Sequence, residues 1–197
     1  MEGGSSYLDN TVAELLERVS ARTPAPGGGS VAAIAVALAA GLATMAARFS
    51  VEHWDGAAGA VAQGEALRKR AAPLADEDAE AYQQALEALR APRSGDPETR
   101  DREIGDALAR AADVPLRIAE VATDVAELAA EVAERGNENL RGDAAAAAVL
   151  AGAGARVAAN LVVINLTMRE EDERVQRALW LADAAARAAH RAVAATS

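Results

Sequence analysis

The chain has 197 residues and a formal net charge of −10, which argues against nucleic acid as a partner because phosphate binding requires a basic face. It contains no cysteine and two distant histidines, His53 and His190, so neither a disulfide framework nor a zinc site is indicated. We expect no metal and no prosthetic group. Alanine, leucine and valine dominate and aromatic residues make up 3%, which favours helices over strands. These features predict one all-α domain over residues 1–197.

The N-terminal residues lack the basic and apolar regions of a signal peptide, so we expect a cytoplasmic location. The segment from Val31 to Ala47 carries no charge and raises the question of a membrane span. It is short for a span and consists mostly of small residues that transfer weakly into lipid. We interpret it as a buried core helix and expect no membrane partner.

Helical periodicity begins after Asn10, which is predicted to be the N-cap of the first helix. One face of that helix is apolar and comprises Val12, Leu15, Leu16 and Val19. Residues 23–30, rich in glycine and proline, break this helix before a second one. The apolar residues of the second helix recur every three or four positions: Val31, Ile34, Leu38, Leu42, Met45 and Phe49.

A third helix is predicted over residues 56–89, where Pro73 is either tolerated or bends the axis. A loop follows at residues 91–97. Its last two residues carry a helix-start signal, with Asp96 as the cap and Pro97 at the first helical position.

The second half of the chain is also predicted to be helical, and Pro115 is expected to kink or restart its first helix. An apolar stripe then continues until Gly136 ends the element. The stripe consists of Ile118, Val121, Val125, Leu128 and Val132. Two further helices are predicted over residues 143–168 and 171–194.

Three glycines stand directly before the second helix, in the segment Pro26-Gly27-Gly28-Gly29-Ser30. Glycine permits positive φ and a close approach of the backbone, and a helix N-terminus carries partial positive charge, so an anionic ligand fits there. The segment lacks the lysine and the spacing of a P-loop. A tight turn that lets helices pack closely explains the glycines equally well, and both interpretations stay open.

Asp78 lies in an acidic run, Asp76-Glu77-Asp78-Ala79-Glu80, that otherwise suits a solvated helix face. The apolar stripe of this helix passes through Asp78, where a hydrophobic side chain is expected, and Tyr82 follows one turn later. The other members of the stripe are Leu67, Ala71, Leu74, Ala81, Ala85 and Leu89. A carboxylate at such a position is either paired with an arginine or partly desolvated with a raised pKa, the state suited to acid–base catalysis.

A third polar cluster begins at Gly136-Asn137-Glu138-Asn139 and reaches Asp143, which precedes an alanine run. Asp143 suits either an N-cap or a functional role. Further along, Asn160 and Asn165 interrupt an apolar stripe. If buried, their amides must bond to a neighbouring helix or to a ligand.

These segments together resemble the formiminotetrahydrofolate cyclodeaminase and methenyltetrahydrofolate cyclohydrolase family. The resemblance is carried in order by Thr-Pro-Ala-Pro-Gly-Gly-Gly-Ser (residues 23–30), Asp-x-Asp-Ala-Glu-Ala-Tyr (76–82), Val-Pro-Leu (114–116), Gly-Asn-x-Asn…Asp (136–143) and Ala-Asn-Leu-Val-Val-Ile-Asn-Leu (159–166). It covers nearly the whole chain.

The resemblance implies a dimerising bundle of long antiparallel helices that binds a tetrahydrofolate derivative in a groove of the homodimer. It places the family's proposed catalytic aspartate at Asp78, with Asp143 as a second candidate. The implied substrate-binding residues are Pro26, Gly27, Gly28, Gly29, Ser30, Tyr82, Asn137, Asn139, Asn160 and Asn165. We also expect a homodimer because thin, alanine-rich helices bury little area alone.

Two reactions fit the resemblance, and both form a tetrahedral carbon between two nitrogens. A cyclohydrolase opens 5,10-methenyltetrahydrofolate with water to give 10-formyltetrahydrofolate, and a cyclodeaminase closes formimidoyltetrahydrofolate with loss of ammonia. The length leaves no room for a fused formiminotransferase domain, which favours the cyclohydrolase. Glu52-His53 and Gly142 depart from the family pattern, so a non-catalytic helical dimer that binds folate or another anion remains the alternative.

Overall fold

The computed structural model describes residues 6–90, 97–167 and 171–197. In these ranges every regular element is helical, which confirms the all-α prediction. The α-helices are α1 (Val12–Ser20), α2 (Gly28–Arg48), α3 (Ala57–Ala71), α4 (Leu74–Arg90), α5 (Pro97–Ala111), α6 (Asp113–Arg135), α7 (Arg141–Asn165) and α8 (Glu173–Ala194). Short 3-10 helices span Tyr7–Asp9 and Glu138–Leu140.

The core is built mainly from alanine, which lets the long helices approach closely. In α2 most of the buried residues are alanines, and Gly154 of α7 lies so near Val36 that an added Cβ would be 2.5 Å from its Cγ2. The stripe predicted for α6 from Ile118 to Val132 is fully buried. The bundle therefore depends on many small contacts rather than on a few large side chains.

Contacts between the helices show the directions in which α2, α6 and α7 run relative to one another. Gly28, at the start of α2, lies beside Val157 near the end of α7, so these two helices run antiparallel. The segments just after α2 and α6 meet, since the backbone N–H of Asn137 donates to Ser50 Oγ at 2.9 Å. Thus α2 and α6 run in the same direction, and both begin at one end of the bundle.

Several predicted boundaries require correction. Thr11, not Asn10, caps α1, because its hydroxyl accepts from Glu14 in a capping box. Pro73 breaks the predicted third helix into α3 and α4, since proline supplies no N–H to continue the ladder. Asp143 is not an N-cap: α7 starts two residues earlier, so Asp143 lies in its first turn.

The remaining boundaries agree more closely with the sequence. Helix α6 begins at Asp113, which puts Pro115 in its first turn. Proline is tolerated there because the backbone N–H groups of a first turn have no acceptor within the helix. Asp96 and Met168, the predicted cap and helix end, lie outside the described residues.

Several large apolar residues predicted for α1 and α2 face outward rather than into the core, although Leu15, Ile34 and Leu42 pack partly against it. Alanines and Val36 occupy the inner face of α2, whereas other apolar side chains of α2 and several of α7 are exposed. We call this surface the α2/α7 face; it comprises Val31, Leu38, Phe49, Leu150, Val157 and Ile164, which are 40–67% exposed. Exposed apolar side chains that cluster on a protein surface are typical of binding or association sites.

Two helical segments, Gly28–Arg48 and Glu138–Asn165, are long and apolar enough to cross a membrane by length and composition alone. About half of each window is buried inside the bundle, 56% and 50% respectively. Core helices of soluble proteins pass the same test, and the buried alanine face of α2 accords with the predicted core helix.

Candidate active site

A cavity of about 320 Å³ lies at the end of the bundle where α2 and α6 begin. Helix α4 supplies its acidic side chain, and the ends of α5 and α7 close its other sides. The lining residues are Pro24, Ala25, Gly27, Gly28, Gly29, Asp78, Ala79, Tyr82, Ala111, Pro115, Leu161, Ile164 and Asn165. The cavity is thus mostly apolar with few polar groups, as is usual for small-molecule sites.

Asp78 packs directly against the N-terminus of α2. The hydroxyl of Ser30, a fully buried residue, donates to Asp78 Oδ2 at 3.1 Å. A Cβ on Gly29 would overlap the Asp78 carboxyl group, so glycine is required here for close approach. Gly27, which caps α2, has φ −104°, and neither Gly28 nor Gly29 is in the left-handed region. The prediction that these glycines adopt positive φ is therefore wrong.

Burial raises the pKa of the Asp78 carboxyl above its ordinary value, while hydrogen bonds from the Ser30 hydroxyl and backbone N–H oppose part of that rise. Among the described residues Asp78 has no arginine or lysine partner within ion-pair distance. Of the two states predicted for a carboxylate in an apolar stripe, the structure contains the desolvated one. Such a group keeps its proton to a higher pH than an exposed carboxyl does, which suits it to acid–base chemistry.

Tyr82 and Asn165, two of the residues predicted to bind substrate, also line this cavity. Tyr82 is 45% exposed and lies one turn after Asp78. The Asn165 side-chain amide donates to the carbonyl of Ala111 at 3.2 Å, so it links α7 to α5. Pro26 is buried and Ser30 touches Asp78, but neither lines the cavity itself.

Other predicted residues lie elsewhere in the protomer. Asn137 donates from its side chain to the carbonyl of Phe49 at 3.1 Å, so the 136–143 segment lies at the opposite end of α2. Asn139 and Asp143 belong to that segment and are also far from the cavity. Asn160 is exposed on α7 and does not line the cavity.

The sequence did not predict that Asp76 anchors the N-terminal segment next to this site. Asp76 accepts hydrogen bonds from the Ser6 hydroxyl and from the Tyr7 backbone N–H, the latter at 2.8 Å. The acidic run is therefore not wholly a solvated face. Tyr7 is buried, and burial together with the Asp76 and Asp78 carboxylates raises its pKa, against the opposing effect of Arg18. No spacing in the sequence indicates a contact between residues so distant along the chain.

Comparison with known proteins identifies the fold and the family. The family model described as formiminotransferase-cyclodeaminase matches residues 11–189. The chain belongs to this family. A solved structure of formiminotetrahydrofolate cyclodeaminase from Thermotoga maritima superposes with a TM-score of 0.83 at 27% identity and covers 96% of both chains.

The curated relatives in the formiminotransferase-cyclodeaminase family carry two different names. Methenyltetrahydrofolate cyclohydrolase of Methylorubrum extorquens is 34% identical over 165 residues, which is 80% of this chain and 79% of that protein. Formimidoyltransferase-cyclodeaminase of Mus musculus is 36% identical over 120 residues, or 56% of this chain. The match spans 22% of the mouse protein.

Proposed function

We propose that this protein is a folate one-carbon enzyme that hydrolyses 5,10-methenyltetrahydrofolate to 10-formyltetrahydrofolate. The observation that carries the proposal is Asp78, an unpaired carboxyl with a raised pKa in a mostly apolar cavity at the N-terminus of α2. Burying a carboxyl without an ion-pair partner costs stability, and a catalytic role explains why the chain keeps one here. The cyclohydrolase relative is 34% identical over 80% of this chain and 79% of its own length, which supports this reaction.

In this reaction Asp78 acts as the proton shuttle. Its carboxylate takes a proton from water as the oxygen attacks the methenyl carbon between N5 and N10, which gives a tetrahedral carbon. The same carboxyl then returns the proton to N5 as the bond from that carbon to N5 breaks. The formyl group stays on N10, and the reaction releases one proton overall. A negative group beside the amidinium also stabilises the cationic substrate in a site that excludes most water.

Cyclodeamination of formimidoyltetrahydrofolate is the second candidate. It is favoured by the superposition on the Thermotoga maritima cyclodeaminase over 96% of both chains. Here Asp78 would protonate the departing ammonia after ring closure, so the same carboxyl serves the same kind of tetrahedral carbon. The two reactions differ in whether nitrogen or oxygen enters or leaves at that carbon.

We further propose that the active form is a homodimer joined through the α2/α7 face. Leu38 lies midway along α2 with Val31 and Phe49 on either side of it, so two copies of α2 that cross antiparallel about a twofold axis at Leu38 place the start of one helix beside the end of the other. This arrangement brings the end of α2 that holds Asn137 and Asn139 to the Asp78 cavity of the partner. It would unite the two groups of predicted site residues, which lie at opposite ends of one protomer.

The proposed dimer also supplies positive charge for the carboxylates of a folate. A cavity of about 320 Å³ encloses part of a folate-sized molecule, and none of the described side chains that line it is basic. The opposite end of α2 carries Arg48, which is ion-paired with Glu65, and the start of α7 carries Arg141, which is ion-paired with Glu138. In the proposed dimer these cations from the partner subunit lie where the glutamate carboxylates of the folate leave the cavity.

The test is a direct assay of the purified protein. With methenyltetrahydrofolate, the near-ultraviolet absorbance of the methenyl group should fall with enzyme-dependent, saturable kinetics. With formimidoyltetrahydrofolate, a gain of the same absorbance together with ammonia release would instead establish the cyclodeaminase. Saturable folate binding with neither reaction would contradict the enzyme proposal and leave the non-catalytic binder.

A further inference from the structure

Helix α4, which carries Asp78, has little apolar burial to hold it in the bundle. Of its seventeen residues, all of them described, three are buried: Leu74, Ala75 and Ala85. The helix begins directly after Pro73, so it is not a continuation of α3 and α3 does not fix its direction. The position of Asp78 therefore depends on the contacts that the first turns of α4 make themselves.

Polar contacts hold these first turns from two sides. On one side, Asp78 accepts from the Ser30 hydroxyl at the start of α2. On the other side, Asp76 uses both of its carboxyl oxygens, because Oδ2 accepts from the Ser6 hydroxyl and Oδ1 from the Tyr7 backbone N–H. Positions two apart point about 200° apart around a helix axis, so the two contacts lie on opposite sides of α4. Two hydrogen bonds to one carboxylate fix its orientation as well as its position.

The N-terminal segment that binds Asp76 is itself well anchored. The Asn10 amide donates to the carbonyls of Ser6 and Tyr7 at 3.1 and 3.0 Å, and Arg18 lies 4.8 Å from the centre of the Tyr7 ring. Tyr7 is buried in the main apolar core. The other four aromatic side chains of the protein are exposed or half-buried: Phe49, Trp54, Tyr82 and Trp180. The one buried aromatic side chain thus belongs to the segment that holds Asp76.

Asp76 is close to Asp78 but outside the cavity. Neither Asp76 nor Tyr7 is among the residues that line it. The charged groups around the Tyr7 ring are Arg18 from α1 and the carboxylates of Asp76 and Asp78, and all three affect the pKa of its hydroxyl after the larger effect of burial. Asp76 therefore lies beside the site without touching its contents, and any effect that it has on the reaction must act through Asp78.

We propose that Asp76 is a positioning residue of the Asp78 site. Its two hydrogen bonds to the N-terminal segment hold the first turns of α4, so that the Asp78 carboxyl stays packed against Gly29 and Ser30. The inference rests on the proposed function, because it gives Asp76 a part in the reaction in which Asp78 moves the proton. Residues of α2 fix the carboxyl group itself, and Asp76 fixes the backbone that bears it.

A double-mutant cycle tests whether Asp76 acts through Asp78. Asp76→Ala removes both hydrogen bonds and should lower kcat by about 10- to 100-fold, because a shift of about 1 Å in a catalytic group costs up to that factor, while KM changes by less than about threefold. In the Asp78→Asn background the same substitution should lower kcat by less than about twofold, because the group that it positions is already absent. The substrate is whichever of the two folates wild type turns over.

Asp76→Asn is the conservative variant in this experiment. Its amide oxygen can accept from the Tyr7 N–H while its NH₂ group donates to the Ser6 hydroxyl, so it should recover most of the kcat that Asp76→Ala loses. Asp9→Ala removes an exposed carboxyl from the same N-terminal segment and is the matched control, for which we expect no loss. If Asp76→Ala does not fold, Ser6→Ala removes one of the two hydrogen bonds and should give a smaller loss that also disappears in the Asp78→Asn background.

A thermal cycle provides a second readout that does not require turnover. Burial raises the pKa of Asp78, so Asp78→Asn should raise the melting temperature at about pH 7. In the Asp76→Ala background this gain should fall by at least about half, because a carboxylate that is no longer held against α2 is better solvated.

The outcomes separate the positioning role from the function on which it rests. A folded Asp76→Ala protein with wild-type kcat, or an equal loss of kcat in both backgrounds, would overturn the role of Asp76 and leave the reaction standing. A wild-type protein that turns over neither folate overturns the proposed function instead. The thermal cycle then decides the role of Asp76, and an undiminished gain from Asp78→Asn in the Asp76→Ala background would overturn it.

Discussion

The Asp78 carboxyl occupies the space that a side chain on Gly29 would fill, since a Cβ built there overlaps the carboxyl group. The glycine segment and the acidic run, which lie far apart in the sequence, therefore form a single feature. Gly29 allows the approach, and the Ser30 hydroxyl holds the carboxyl at 3.1 Å.

This contact predicts opposite outcomes for two neighbouring glycines. Gly29→Ala must displace Asp78 and should lower kcat by about 100-fold, because a shift of about 1 Å in a catalytic group costs about that factor in rate. Gly28→Ala meets only Val157 Cγ1 at 4.0 Å, an ordinary contact that leaves Asp78 in place. Although Gly28 also lines the cavity, this variant should lose much less kcat than Gly29→Ala and should keep unchanged or slightly higher thermal stability. Steady-state kinetics and thermal melts of both variants decide the question, and equal losses would mean that the segment acts only as a structural unit.

The raised pKa of Asp78 predicts a pH-dependent stability difference. Because the folded pKa lies above the unfolded value of 3.8, the contribution of Asp78 to stability is complete below that pH and is lost as pH rises through the folded pKa. An asparagine side chain does not titrate, so the Asp78→Asn variant should melt close to wild type near pH 4 and at a higher temperature than wild type at about pH 7.

The control for that experiment is Glu80→Gln, which removes an equal charge from an exposed position on the same helix. It should show no comparable gain between the two pH values. If Asp78→Asn instead lowers the melting temperature at neutral pH, the carboxylate has a structural role that outweighs its desolvation.

The proposed interface predicts that an exposed leucine controls assembly. Leu38 is 67% exposed at the centre of the α2/α7 face, so Leu38→Glu should fold normally yet sediment as a monomer at micromolar concentration. Trp180, 62% exposed on α8, is the matched control, and Trp180→Glu should remain a dimer. Analytical ultracentrifugation distinguishes them, and a dimeric Leu38→Glu protein would place the interface elsewhere.

A composite site predicts complementation between two inactive proteins. Asn139→Ala and Asp78→Asn should each be impaired as homodimers. In their mixed dimer one site carries both defects and the other carries neither, so an equal mixture should recover about a quarter of wild-type activity through its intact sites. Turnover measured after subunit exchange checks this, and an absence of recovery would mean that each site lies within one protomer.

Sequence periodicity predicted the helices well but not which faces of α1 and α2 are buried. The spacing of Val31, Leu38 and Phe49 correctly indicated one helix face, yet alanines form the inner surface because they let α2 and α7 approach closely. On α2, where alanines line most of the core, three of the larger apolar side chains are left on the surface. Hydrophobicity alone does not distinguish a core face from an interface.

The candidate site was predicted where a residue violated a local pattern. Asp78 in an apolar stripe and three glycines before a helix both signalled it. The positions of Asn137 and Asn139 were not predictable, because their distance from Asp78 depends on the path of α6 and α7. Other lining residues, such as Pro115 and Leu161, reach the cavity through ordinary helix packing, and their side chains carry no chemical signal.

The most direct test of the central claim is the turnover of methenyltetrahydrofolate by Asp78→Asn at neutral pH, measured beside wild type on protein shown to be folded and dimeric. The account predicts normal substrate binding, unimpaired thermal stability and a loss of about two to four orders of magnitude in kcat, the usual contribution of a positioned acid–base group. A folded Asp78→Asn protein with near wild-type turnover of both methenyl- and formimidoyl-tetrahydrofolate would contradict it.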